Sequence, residues 1–138
     1  MTRSATERDV GALLLRLTVG GLMLFHGVDK VVGGIAWLPG ALAKNGLPEV
    51  MAYGVYLGEV VAPLLLILGV AMRSSAATIV FTMLIAVYVA HPDDVFALGK
   101  HGEYALELHV FYAVGAIVAA LLGPGRFAVP VRGRWAQL

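Results

Sequence analysis

The chain has 138 residues, 59% of them hydrophobic and only 14% charged, which is far more apolar surface than a single water-soluble domain of this length carries. It contains no cysteine, which excludes disulfide relays, thiolate nucleophiles, iron–sulfur clusters and cysteine-ligated zinc. A net charge of +1 gives no basic excess for nucleic acid, and these residues leave no room for a soluble catalytic domain beside the apolar segments.

The apolar bias is concentrated in Val10 to Val28, Val50 to Met72, Ser74 to Ala90 and Tyr104 to Leu122, each with at most one Asp, Glu, Lys or Arg. At 1.5 Å rise per residue these segments cover about 26 to 34 Å, the thickness of a hydrocarbon core of about 30 Å. A soluble four-helix bundle would need a polar stripe along each helix, and none is present. The sequence therefore predicts an all-α integral membrane four-helix bundle in a lipid bilayer. It forms one domain over residues 1–138, with helices at about 10–32, 50–72, 74–91 and 103–122.

In chain order, the first helix opens near Asp9 and runs toward Gly33-Gly34. Arg3 and Arg8 ahead of an apolar run have the look of a secretory signal. The small-residue pattern Ala41-Leu42-Ala43 lies too far downstream, beyond Asp29 and Lys30, so a retained anchor is the expectation. A connection of about twenty residues follows, with Trp37, Leu38, Pro39, Leu42, Leu47 and Pro48, and is expected to lie on the bilayer surface. Ser74-Ser75 is the expected hairpin between the second and third helices. The third ends at His91-Pro92, a polar stretch runs from Asp93 to Gly102, and the fourth stops at Gly123-Pro124-Gly125.

Arg3, Arg8, Arg73, Arg126, Arg132 and Arg134 fall on one side of this arrangement and Lys30, Lys44 and Lys100 on the other. The positive-inside bias places both termini in the cytoplasm of a cell inner membrane, with the long first connection and the His91 to Gly102 loop outside. Stripes of small residues, Gly54/Gly58, Ala86/Ala90 and Gly115/Ala119/Gly123, suit close helix packing or a homo-oligomer contact.

Charges at bilayer depth cost several kcal/mol, so each demands a partner, water or a function. Arg16 and Glu59 are the clearest, and a structural ion pair between them is the plain expectation. Glu59 also precedes Pro63 by four residues, and a proline has no N–H to return to the Glu59 carbonyl. A kink there would set an unpaired carbonyl beside a carboxylate. His26 and Lys30 share a face of the first helix, and Glu103 and Glu107 share one of the fourth. His109 points about 200° away from Glu107, and His91 caps the third helix. Arg16, His26, Lys30, Glu59, His91, Glu103 and Glu107 are thus the candidate cofactor-binding residues, most of them in an outer-leaflet polar layer. The sequence identifies no catalytic residue.

Zinc or non-haem iron would call for histidines and carboxylates at ligand spacing, and no HxxxH or ExxH pattern occurs. Bis-histidine haem would need two facing histidines, for which His26 with His91 or His109 is the available choice. A quinone asks least, namely donors near its carbonyl oxygens and an apolar slot, and it is the favoured cofactor.

A set of short motifs runs in order along the four segments from about Leu14 to Phe127. They are Arg16 with His26-Gly27, Lys30 and Gly33-Gly34; Gly46-Leu47-Pro48; Gly58-Glu59 with Leu68-Gly69 and Arg73; Gly102-Glu103-Tyr104; and Gly123-Pro124-Gly125-Arg126. In these the chain resembles the DoxX family of small membrane proteins, whose relatives include the DoxD-type subunit of thiosulfate:quinone oxidoreductase. Its Ala128-Val129-Pro130 ending departs from the family's pattern, and Glu107 and His109 make its fourth helix more polar than is usual there. The resemblance implies an accessory subunit beside a quinone-linked redox or sulfur-oxidising enzyme, with a soluble or membrane redox protein as partner. Two other readings compete with it. One is a small proton-coupled transporter gated by Glu59. The other is a structural anchor holding a soluble enzyme through the basic tail Arg126, Arg132 and Arg134.

Overall fold

The computed structural model describes residues 3–130; the tail arginines Arg132 and Arg134 lie outside the described residues. Five helices account for the architecture: α1 (Arg3–Gly33), α2 (Leu38–Lys44), α3 (Glu49–Leu68), α4 (Met72–Ala90) and α5 (Glu107–Leu122). α1 packs on α3 and α5, and α4 packs on the same two, so the four long helices close into a ring and form an all-α bundle. α1, α3 and α4 are long and apolar enough to cross a membrane. α5 is also apolar, and its 16 residues reach about 24 Å.

The inside of the ring is filled by Val19, Met23, Leu66, Ile79, Tyr112 and Ala116, while Phe25, Val32 and Leu121 are at least three-quarters exposed on its outside. A water-soluble bundle would expose polar side chains at such positions; a lipid-facing one exposes these.

α3 is not a uniform helix. It begins with a 3-10 turn over Glu49–Tyr53, and at Leu57–Val61 the backbone widens into a π turn before ordinary helix resumes at Ala62–Leu68. The widening sits directly ahead of Pro63, which cannot donate to the Glu59 carbonyl. That carbonyl is not presented to a ligand. It faces Gly27 of α1 so closely that a Cβ on Gly27 would fall on it. Two helical turns earlier, a Cβ on Gly20 would meet the Pro63 carbonyl oxygen at 2.9 Å. These two glycines let α1 lie against the backbone of α3.

The expected small-residue stripes are partly used inside the same chain. Gly58 packs against Thr82, Gly115 packs against Val19, and Ala119 is buried, whereas nothing stands near Gly54.

The hairpin after α3 falls at Gly69 to Ala71, not at Ser74-Ser75, which lie inside α4. Gly69 has φ of +75° and closes a Schellman turn in which its N–H reaches the Leu66 carbonyl and that of Val70 reaches Leu65. Two end carbonyls remain, those of Ile67 and Leu68. Nη1 of Arg16 donates to the first at 3.0 Å and the N–H of Val129 to the second at 2.9 Å. Every carbonyl in the last turn of α3 is therefore satisfied. Arg8 does the same for α5, donating from Nη2 to the Leu122 carbonyl at 3.0 Å. Both arginines stand at helix C-termini, where the helix dipole favours a cation.

Candidate functional site

At the opposite end from these caps, all five helices wall a cavity of about 460 Å³. Its sides are apolar: Met23 from α1, Leu38 and Leu42 from α2, Val55 from α3, Phe81, Met83 and Ile85 from α4, and Leu108 from α5. Thr78 and Thr82 add little polarity, because each hydroxyl donates to the carbonyl one turn back, Ser74 and Thr78 respectively. α2 is a short helix with Pro39 in its first turn, and its i, i+4 pair Leu38 and Leu42 covers the cavity. Asn45 pins the end of α2 by donating to the Ala41 carbonyl and by accepting from the Tyr88 hydroxyl at its own carbonyl. The long connection thus contributes a structured cover. Trp37, Leu57 and Phe81 line the cavity while remaining more than half exposed, so its mouth is apolar as well.

Polar groups converge at one part of the wall. Lys30 of α1 forms an ion pair with Glu59 of α3, which is 6% exposed. The pairing is local in origin: Gly27, one turn before Lys30, brings α1 onto the π turn that carries Glu59. Around the pair stand His26, whose ring meets Tyr112 edge-on at 5.8 Å, and the pair His91–His109, with ring centroids 5.1 Å apart. Nδ1 of His91 lies 2.9 Å from Oδ2 of Asp94. Nδ1 of His109 is buried and has no hydrogen-bond partner among the described residues.

Of the residues singled out from sequence, the structure brings His26, Lys30, Glu59 and His91 to this one cavity. Three others stand elsewhere. Arg16 does not pair with Glu59; it is wholly buried, about 21 Å along α1 from Lys30, and caps α3. Its side chain is long enough to reach a nearby carbonyl but not to span eight residues of α3. Glu103 folds a small hairpin in the connecting loop, accepting from the His101 N–H beside the Leu98–Tyr104 bridge. Glu107 opens α5 on its outer face, in a shallow groove with Tyr104 and Phe111. Their places are taken by His109 and Tyr112, an i, i+3 pair on the inner face of α5 that the spacing could have flagged. Among the described residues no group of three or more His, Asp or Glu could hold a metal ion.

An all-α bundle with an apolar exterior, membrane-length helices and an internal cavity ending on an ion pair defines a small membrane protein. Residues 11–92, more than half the chain, match the DoxX family model, and the chain belongs to the DoxX family. The match covers α1 to α4 and stops before α5, the helix that supplies His109 and Tyr112. No curated relative and no solved structure matches the chain.

Proposed function

We propose that this DoxX-family protein holds the ring of a quinone in the cavity and acts as an accessory subunit of a quinone-linked oxidoreductase, with electrons supplied or removed by a partner redox protein. The observation that carries the reading is the composition of the cavity wall. An apolar volume of about 460 Å³ accepts a fused or substituted ring and the start of a prenyl tail, and its polar end offers both kinds of hydrogen bond. The Lys30 ammonium, an imidazole N–H of His26 or His109 and the Tyr112 hydroxyl can donate to a quinone oxygen, and Glu59 can accept from a quinol. The apolar mouth suits a ligand that arrives from the bilayer. With the basic end taken as cytoplasmic, the cavity lies toward the outer leaflet of a cell inner membrane.

A proton-coupled transporter with Glu59 as its gate draws less support. Glu59 already has a cation partner, and the cavity walls include none of the residues that cap the other end of the bundle.

The test is equilibrium binding of a short-tailed quinone to the purified protein in detergent, read by quenching of its tryptophan fluorescence. Saturable binding is expected, weakened about tenfold or more by Lys30→Met, the loss of one charged hydrogen bond at about 1.5 to 3 kcal/mol. Absence of saturable binding by the wild type, with ubiquinone-type and naphthoquinone-type rings alike, would end the reading.

A further inference from the structure

We propose that the groove between α1 and α5 is a lipid site, holding one acyl chain of a phospholipid along α5 with the ammonium of an ethanolamine headgroup at Glu107. The groove encloses about 490 Å³ and shares no lining residue with the cavity. Its long wall is one face of α5, where Glu107, Val110, Phe111, Val114 and Val118 recur at intervals of three and four residues. The four apolar members are about two-fifths to one-half exposed, enclosed on one side and open to the bilayer on the other. Leu15 of α1 stands on the facing side, and the buried Gly115 lies between. A Cβ on Gly115 would meet Cγ2 of Val19 at 2.6 Å, so the glycine is what lets α1 come close to α5 there.

The groove has the depth of one leaflet. From Glu107 to Val118 the helix axis advances about 16 Å, against about 15 Å for half of a hydrocarbon core of about 30 Å. Glu107 is the first residue of α5, so its carboxylate stands at the membrane interface and Val118 near the midplane. A chain lying along this stripe begins where a headgroup begins and ends where the opposite leaflet starts. The head of the groove is acidic. The Glu107 side chain is exposed, and no ion pair among the described residues claims it. The Tyr104 hydroxyl beside it already donates to the Val95 carbonyl at 2.7 Å, which leaves the carboxylate to choose the headgroup. A primary ammonium brings three donors and the opposite charge, whereas a phosphoglycerol headgroup brings net negative charge and is repelled.

A second copy of this chain suits the face less well. Close contacts between membrane helices use small residues, and the glycine on this face is already filled by Val19 of the same chain. A two-fold contact along the stripe would also bring Glu107 towards Glu107 of the second copy, like charge against like.

The test is native mass spectrometry of the full chain released from nanodiscs of phosphatidylethanolamine and phosphatidylglycerol in equal amounts with matched acyl chains. The expected result is a monomer that retains one lipid, the ethanolamine form about two- to fivefold over the glycerol form, the scale of one exposed ion pair. Glu107→Gln should remove the preference and Glu107→Lys should reverse it. Val114→Trp fills the groove from its open side without altering charge, and should reduce retention of both lipids. Equal retention of the two lipids by the wild type, or a preference unchanged in Glu107→Gln, would overturn the site. So would a dimer that dissociates in Val114→Trp, which would assign the face to a second copy. None of these readouts involves a quinone or a cavity residue, so failure here leaves the quinone reading standing, and failure of quinone binding leaves the lipid site standing.

Discussion

α1 carries two cations into the bundle, Arg16 at the C-terminal end of α3 and Lys30 at the π turn in its middle, and their surroundings differ. Around Arg16 the carbonyls of the last turn of α3 are accounted for, Ile67 by Arg16, Leu68 by Val129, and Leu65 and Leu66 by the Schellman turn, while the Nε and Nη2 of Arg16 itself are buried with no hydrogen-bond partner among the described residues. Arg16 is 0% exposed and lines neither of the two cavities described. Around Lys30 the same helix faces an open volume and a carboxylate on a widened turn. Burial alone does not distinguish the two sites, since Glu59 is nearly as inaccessible as Arg16. What distinguishes them is the space beside each: Arg16 lines neither described cavity, whereas Lys30 and Glu59 line the large one. The first holds helices together, and the second opens onto a volume of about 460 Å³.

The largest expected effect lies at Arg16. Arg16→Ala removes a charged hydrogen bond to Ile67 and leaves a cavity where a long side chain was enclosed, and together these should cost about 3 to 5 kcal/mol. The melting temperature in detergent should fall steeply. The fraction that remains folded should bind quinone as the wild type does, because Arg16 lines no part of the cavity. A variant that melts normally but loses quinone binding would reverse the roles assigned to the two ends.

Next in size is the ion pair. Glu59→Gln strands Lys30 and Lys30→Met strands Glu59, and loss of either partner of a buried pair costs about 3 kcal/mol or somewhat more. The double variant should recover about 1 to 3 kcal/mol relative to the sum of the singles, the range found for residues in contact. The cycle through Arg16 and Glu59 should be additive within about 0.5 kcal/mol. Coupling in the second cycle and none in the first would contradict the pairing seen here.

Much of this arrangement was legible in the sequence. Membrane-length apolar segments pointed to the all-α bundle, and four residues singled out by the sequence, His26, Lys30, Glu59 and His91, line the cavity. The partner of Glu59 was not legible. Pairing Arg16 with Glu59 rests on scarcity of charge, whereas the actual partner is set by Gly27, whose missing side chain brings α1 against Glu59 and thereby sets the relative register of the two helices. Register between helices is a property of two surfaces, and one segment's periodicity does not contain it. The acids of the fourth segment failed for a related reason. Glu107 and His109 point to opposite faces, and only packing against α1 and α4 determines which face turns inward.

That account of register makes Gly27 a sharper probe than any charged residue. Gly27→Ala drives a methyl group onto the Glu59 carbonyl, and because the obstacle is backbone it cannot rotate away; about 1 to 3 kcal/mol is expected, with quinone affinity reduced as Lys30 and Glu59 are pushed apart. Gly54→Ala is the control on the facing helix, where no atom stands within 4 Å, and it should cost well under 1 kcal/mol. Thermal melts of the two side by side, with binding measured on each, decide whether close approach or mere helix propensity is at stake.

The smallest effect expected is at Glu107, and it bears most directly on where the site ends. The carboxylate opens α5 on the face away from the cavity, exposed in a shallow groove with Tyr104 and Phe111, while His109 and Tyr112 occupy the inner face. Its contribution is that of an acid in the first turn of a helix, about 0.3 to 1 kcal/mol through the helix dipole. Glu107→Gln should therefore lower the melting temperature slightly and leave quinone affinity unchanged. Tyr112→Phe, which deletes a single inward hydroxyl from the same helix, should weaken affinity measurably, by the 0.5 to 1.5 kcal/mol that a neutral hydrogen bond contributes, or about two- to tenfold. Fluorescence titration of both variants against one quinone separates the two faces of α5. Equal losses in both would mean that the outer groove, and not the cavity, receives the ligand.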